Sequence, residues 1–172
     1  MKKDLQAHYK AVLTGRQSRA AGQTFEDIIS RSCEFYSDLG VAEIEKTPEP
    51  MKPIKRLERG HFVAVFTKRA QPDYKGTAEN GRSIVFEAKH TDTDRMSRDV
   101  ISDEQEKRLN KHEKLGAECF VLISFGFVRF FKVPWSLFRD MKQHFCRKYL
   151  VPDDIKQYEC YLINGVLRFL YQ

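Results

Sequence analysis

The chain has 172 residues, 41% of them apolar, and its 30 Lys and Arg exceed its 24 Asp and Glu by six charges. That length suits one domain able to bury roughly two-thirds of its unfolded surface, and a basic balance suits a polyanionic partner, although six charges also fit an ordinary soluble surface. No apolar run approaches the about 20 residues of a membrane-spanning helix, and the start, Met1-Lys2-Lys3-Asp4-Leu5, lacks the apolar core of a signal peptide, so no membrane partner and a cytoplasmic location are expected.

Leu5, Tyr9, Val12 and Leu13 recur at helical spacing and predict a short first helix, followed by a basic, small-residue link over 14–22. Arg16 and Arg19 belong to this arm, 1–22, and are candidates to reach DNA phosphates if the arm is ordered. Thr24 is the expected N-cap of a second helix, with Asp27 at its third position and Gly40 at its end. Its buried stripe is Phe25, Ile28, Ile29, Cys33 and Tyr36, and Glu26 lies at the margin, where a first-turn glutamate favours the helix dipole. Residues 41–45 predict a first strand, and Thr47-Pro48-Glu49-Pro50 is too proline-rich to continue it inside a sheet. Lys52, Lys55, Arg56 and Arg59 crowd the segment ending at Gly60, a candidate DNA-inserting loop over 50–62 or else an exposed basic hairpin. Residues 61–68 alternate like a strand, and Lys68 and Arg69 stand before a polar turn, placed for charge-assisted bonds to phosphate.

Asp73 lies in that turn, and Glu87 and Lys89 end the alternating run 83–89, so the last two share a strand face. Between them Asn80-Gly81 favours a tight hairpin that returns Asp73 beside Glu87. The pattern is D-x13-E-x-K. Two carboxylates offer hard oxygen ligands for Mg²⁺, or Mn²⁺ as its substitute, and a lysine can position or help deprotonate an attacking water, which is the chemistry of metal-dependent phosphodiester hydrolysis. Acids and lysines are common, so the pattern by itself also arises by chance.

Further on, Ser102 caps a helix with Leu109, His112 and Leu115 on its apolar side. Gln105, three places after Ser102, is placed to close a capping box on it. Residues 118–125 read as a central strand, 127–133 as a second strand ending at Pro134, and 134 to about 149 as a helix with Trp135 and Phe138 in the core. Asn164-Gly165 marks a terminal hairpin whose edge could pair between subunits. Cys33, Cys119, Cys146 and Cys160 are scattered without a C-x-x-C pair, as expected of reduced, mostly packed thiols.

The segment Gly22-Gln23-Thr24-Phe25-Glu26, the tyrosine at 36, and Gly40-Val41-Ala42-Glu43-Ile44-Glu45-Lys46-Thr47-Pro48-Glu49-Pro50 resemble the amino-terminal region of the RecU family of Holliday-junction resolvases. Asp73-Tyr74-x-Gly76 and Phe86-Glu87-Ala88-Lys89-x-Thr91 resemble that family's catalytic segment, and Gln105, Gly116, Phe120, Phe125 and Pro134 fall at its later landmarks. The resemblance covers about 22–137. It implies a single PD-(D/E)xK nuclease domain of the α/β class, with a restriction-endonuclease-like core in which a mixed central β-sheet is flanked by helices. It also implies metal ligation by Asp73, Glu87, the Ala88 carbonyl and Glu26, a catalytic role for Lys89, a role for Gln105 in orienting water or phosphate that stands open beside its capping role, and a homodimer whose two sites cut a four-way junction symmetrically. Two departures stand out: Glu104 replaces a histidine usual before the helix glutamine, and 50–73 is shorter than the family's stalk. They keep open a nuclease for DNA ends, flaps or duplex, and a non-catalytic DNA-binding protein.

Overall fold

The computed structural model describes residues 2–48, 50–66 and 71–171, with side chains from residue 20 onward apart from that of Phe66. A long helix, α1 (Lys2–Asp38), precedes β1 (Ala42–Lys46), the paired strands β2 (Met51–Arg56) and β3 (Phe62–Phe66), then β4 (Tyr74–Ala78) and β5 (Ser83–Thr91). Next come a short β6 (Met96–Ser97), α2 (Asp103–Lys114), β7 (Glu118–Phe125), β8 (Arg129–Pro134), α3 (Trp135–Arg139) and α4 (Met141–Phe145). Two-residue strands follow: β9 (Tyr149–Leu150), β10 (Glu159–Cys160), β11 (Leu162–Ile163) and β12 (Val166–Leu167).

Six strands form one mixed sheet in the order β1-β4-β5-β7-β8-β10, in which only β5 and β7 run parallel. A parallel pair needs a crossover, and α2 supplies it. At the centre, β7 is buried from Cys119 to Phe125, which explains its almost wholly apolar run. On one face, α1 packs Phe25, Ile29 and Tyr36 against Ile84, Phe86 and Phe120. The other face packs Leu109 of α2 and Trp135 and Phe138 of α3 against Val85, Val121 and Ile123. This is the mixed sheet flanked by helices that the resemblance implies. No helix among the described residues is long and apolar enough to cross a membrane.

The β4–β5 hairpin turns at Asn80 and Gly81, with φ of 64° and 74°. Positive φ at both positions is what an Asn-Gly turn provides. At Gly76 the chain needs a missing side chain rather than a special φ. It faces Ile44 across the β1–β4 ladder, and a Cβ there would lie 2.2 Å from the Glu43 carbonyl oxygen and 2.7 Å from Ile44 Cα.

Two expectations are corrected. The link over 14–22 is helical, part of an unbroken α1, and Thr24 is no N-cap: its hydroxyl donates to the Ala20 carbonyl oxygen at 3.0 Å, one turn back. Ser and Thr make this bond inside helices as readily as they cap them. The helix expected to reach about 149 is instead two short ones, broken at Asp140 and ended at Cys146, whose φ is 57°. Elsewhere the segment 50–62 belongs to an antiparallel hairpin, β2–β3, that forms its own two-stranded sheet. The terminal hairpin β11–β12 turns at Asn164 and Gly165 as expected.

Candidate active site

Side chains alternate along β5, so Ile84, Phe86 and Ala88 face α1 while Val85, Glu87 and Lys89 face α2. Glu87 and Lys89 thus end the strand on the face toward the α2 amino terminus. Asp73 immediately precedes β4, whose Tyr74 pairs with Phe86, and this register sets its carboxylate against the β5 backbone. The Ala88 amide donates to Asp73 Oδ2 at 3.0 Å, and the Thr47 amide donates to the Asp73 carbonyl oxygen at 2.8 Å. Lys89 Nζ lies 3.1 Å from Glu87 Oε2 and 3.5 Å from Asp73 Oδ2, bridging the two acids.

Gln105 joins this group from α2. Its Nε2 donates to Glu87 Oε2, while its Oε1 accepts from the Ser102 amide at 3.1 Å and closes the capping box. The two roles left open by the sequence are compatible because an amide has a donor end and an acceptor end. Helix capping aims Gln105 at the acid.

Glu87 is 0% exposed, and its Oε1 has no hydrogen-bond partner. Burial first, and the neighbouring Asp73 charge second, push its carboxyl pKa up to about 8, against a smaller downward pull from Lys89. A buried carboxylate with an unused oxygen is costly unless something cationic completes its coordination.

The remaining candidates lie elsewhere. Glu26 extends from α1 to Lys46 on β1, with Oε2 at 2.6 Å from Nζ, a partner that sequence reasoning did not foresee because it depends on β1 lying beside α1. Among the described residues no three His, Cys, Asp or Glu side chains gather closely enough to hold a metal ion, so Asp73 and Glu87 stand as a pair. Lys52, Lys55, Arg56 and Arg59 are all exposed on the β2–β3 hairpin. The same hairpin exposes large apolar side chains that the reading of basic residues missed, including Ile54 at 64% and Phe62 at 56%. Arg16 and Arg19 sit on the amino-terminal part of α1 with side chains outside the described residues, and Lys68 and Arg69 lie wholly outside them. Just beyond Lys89, His90 packs its ring on Phe127 and holds Ser124 Oγ at 3.1 Å and Asp92 Oδ1 at 3.0 Å, tying the end of β5 to β7.

A family model described as "RecU: Recombination protein U" matches residues 20–170. The chain belongs to the RecU family. Relatives named "Holliday junction resolvase RecU" include one from Streptococcus gordonii, 32% identical over 111 residues, which are 61% of this chain and 55% of the relative. Another, from Lactobacillus delbrueckii subsp. bulgaricus, is 31% identical over 135 residues, 74% of this chain and 63% of the relative. The matches with these two RecU proteins thus span 55% and 63% of their length. A solved structure of Hjc, a Holliday junction resolvase from Archaeoglobus fulgidus, is similar over 79% of this chain and 93% of its own, at 12% identity and a TM-score of 0.46.

The residues present fit a divalent cation of the kind the RecU resemblance implies. Asp73 and Glu87 are hard oxygen donors on one side of the β4–β5 pair, and the unpaired Oε1 of Glu87 has a lone pair to give.

Proposed function

We propose that this protein is a metal-dependent, structure-selective DNA endonuclease that resolves four-way junctions in cytoplasmic recombination and repair. The observation that carries this reading is the buried Glu87 carboxyl, sharing Lys89 with Asp73 and keeping one oxygen unpaired. Asp73, Glu87 and the Ala88 carbonyl would hold Mg²⁺, or Mn²⁺ in its place, and Glu26 would complete the set on leaving Lys46. The chemistry a bound Mg²⁺ supplies is Lewis-acid polarisation of the scissile phosphate and a lower pKa for water.

The chain's own residues do the rest. Lys89 orients the attacking water and stabilises the negative charge that grows on the phosphate, a preorganised cation aimed at the transition state. Its position between two carboxylates holds it in place until substrate arrives. Gln105 acts as a positioning residue, holding Glu87 while its other end is fixed by the helix cap. On the β2–β3 hairpin, Lys52, Lys55, Arg56 and Arg59 bind phosphates, with Arg16, Arg19, Lys68 and Arg69 adding to the same field. A hairpin separate from the main sheet, basic and apolar at once, suits entry into the open centre of a junction. Symmetric cutting needs two sites, hence a homodimer.

The test is cleavage of labelled four-way junction, flap and linear duplex by wild type and Lys89→Ala, with Mg²⁺ and with EDTA. The resolvase reading expects paired nicks near the branch point that need Mg²⁺ and are lost in the variant. Cutting of all three substrates would instead make this a nuclease for ends, flaps or duplex, and tight junction binding without any cutting would make it a binding protein.

A further inference from the structure

Beyond the hydrolytic site, a cavity of 340 Å³ opens between α1 and β1. Its lining includes Glu34 and Asp38 from one face of α1, and Glu43, Glu45 and Lys46 from β1. Four carboxylates therefore confront one lysine, and that lysine is already paired with Glu26. On a chain of net charge +6 this is a local reversal of sign. Phosphate would be repelled here, which separates the groove from any DNA-binding surface.

Two further observations say what the groove is shaped to receive. Tyr74 lines it and is 1% exposed, and its hydroxyl makes no hydrogen bond of ordinary geometry among the described residues, although the Ser30 side chain of α1 lies near enough to act on it. A buried hydroxyl left unpaired is destabilising by about 1–3 kcal/mol, so a ligand that reached it would recover that cost. The second observation is that, among the described residues, β1 is the edge of the six-stranded sheet and pairs with β4 alone. The bonds from the Thr47 amide to the Asp73 carbonyl and from the Glu79 amide to the Val41 carbonyl fix the phase of that ladder. Residues 41, 43, 45 and 47 bond inward, so the main-chain groups of Ala42, Ile44 and Lys46 face outward, toward the open edge. Main-chain groups at an open sheet edge beside carboxylates suit a peptide that carries a cationic side chain.

We propose that this groove is a docking site for a basic, extended segment of a protein partner, which adds as a strand to the edge of β1 and sets an Arg or Lys side chain among Glu34, Asp38 and the Tyr74 hydroxyl. Main-chain hydrogen bonds from strand addition supply affinity, and the acidic pocket selects the side chain that points inward. The nuclease would thereby be held to another protein by a surface that leaves its DNA-facing hairpin free.

The probe is a fluorescein-labelled heptapeptide, Arg-Val-Lys-Val-Arg-Val-Lys, read by fluorescence anisotropy at 150 mM salt. Its comparators are the same peptide N-methylated at alternate amides and the Glu-substituted peptide. The proteins are wild type, Glu34→Lys/Asp38→Lys, and Asp94→Lys/Asp153→Lys, which makes the same change in net charge at two other exposed positions. Wild type and the Asp94/Asp153 variant are expected to bind the probe alike, the Glu34/Asp38 variant at least tenfold more weakly, the N-methylated peptide at least tenfold more weakly, and the acidic peptide undetectably. In labelled wild type, the amide resonances of Ala42, Ile44 and Lys46 should move. Equal weakening in both variants would reduce the effect to overall charge, and equal binding of the N-methylated peptide or unmoved β1 amides would overturn strand addition. Conversion of a dimer to a monomer by the Glu34/Asp38 change, seen in sedimentation, would assign the groove to a second copy of the chain and also overturn the proposal.

Discussion

Glu87 carries a proton that it would lose in the unfolded chain, because burial and Asp73 raise its pKa from 4.5 to about 8. Between those two values the native state binds more protons than the unfolded state, so stability falls as pH rises through the window and levels off above it. Glu87→Gln, which cannot ionise, should therefore melt higher than wild type near pH 8 in EDTA, by an amount on the order of a few kcal/mol. The gap should shrink steadily toward pH 4.5, and a gap independent of pH would refute the assignment. The same variant should not cut DNA. Gln105 allows its two bonds to be separated by substitution. Glu at this position can still accept from the Ser102 amide and keep the capping box, but it turns a donor toward Glu87 into a like charge. Gln105→Glu should thus stay close to wild type in thermal unfolding while losing at least tenfold in cleavage rate. Gln105→Ala should lose both the rate and about 1 kcal/mol of stability. Equal stability and equal activity in the two variants would remove Gln105 from the site.

At the scale of elements, β1 is held to the hairpin that bears Asp73 by an approach so close that Gly76 alone fits it. Gly76→Ala would put a Cβ 2.2 Å from the Glu43 carbonyl oxygen, and the nearest atoms are largely backbone, so β1 itself must move. Urea unfolding should show a loss of about 1–3 kcal/mol, as for overpacked cores. The strand alternation that places Glu87 and Lys89 together was readable from residues 83–89, and the Asn80-Gly81 turn that returns Asp73 was readable from the dipeptide. The course of α1 was not, because Thr24 followed by Phe25 and Asp27 satisfies the pattern of a helix start while Gly22 reads as a break. In the folded chain the place where a Gly22 Cβ would project is open, so glycine costs only its helix propensity, about 1 kcal/mol against alanine. Thr24→Ala distinguishes the two arrangements: an N-cap would lose about 1 kcal/mol, whereas the mid-helix Thr24 seen here should gain a few tenths on substitution.

For the molecule as a whole, the sequence revealed a basic excess but not its distribution, since charge patterns in space depend on which strands pair. Lys52, Lys55, Arg56 and Arg59 are twenty-eight or more residues away from Glu87 in the chain, and the partnership of Glu26 with Lys46 joins residues twenty apart. Lys52, Lys55, Arg56 and Arg59 end up on a hairpin that forms its own two-stranded sheet, whereas Glu34, Asp38, Glu43 and Glu45 line the β1 groove. Such a division predicts that the hairpin is the main source of sequence-independent attraction to DNA. Each phosphate neutralised on duplex contributes about −0.9 to the slope of log Kobs against log salt concentration. Replacing all four hairpin cations with Ala should therefore flatten the slope for junction binding by up to about 3.6 if each meets one phosphate. Asp73, Glu87 and Lys89 lie on other strands, so nicking should persist at low salt with saturating protein, lowered in affinity rather than in turnover. An unchanged slope would place the DNA on another surface, and lost turnover under saturation would mean that the hairpin also aligns the scissile phosphate.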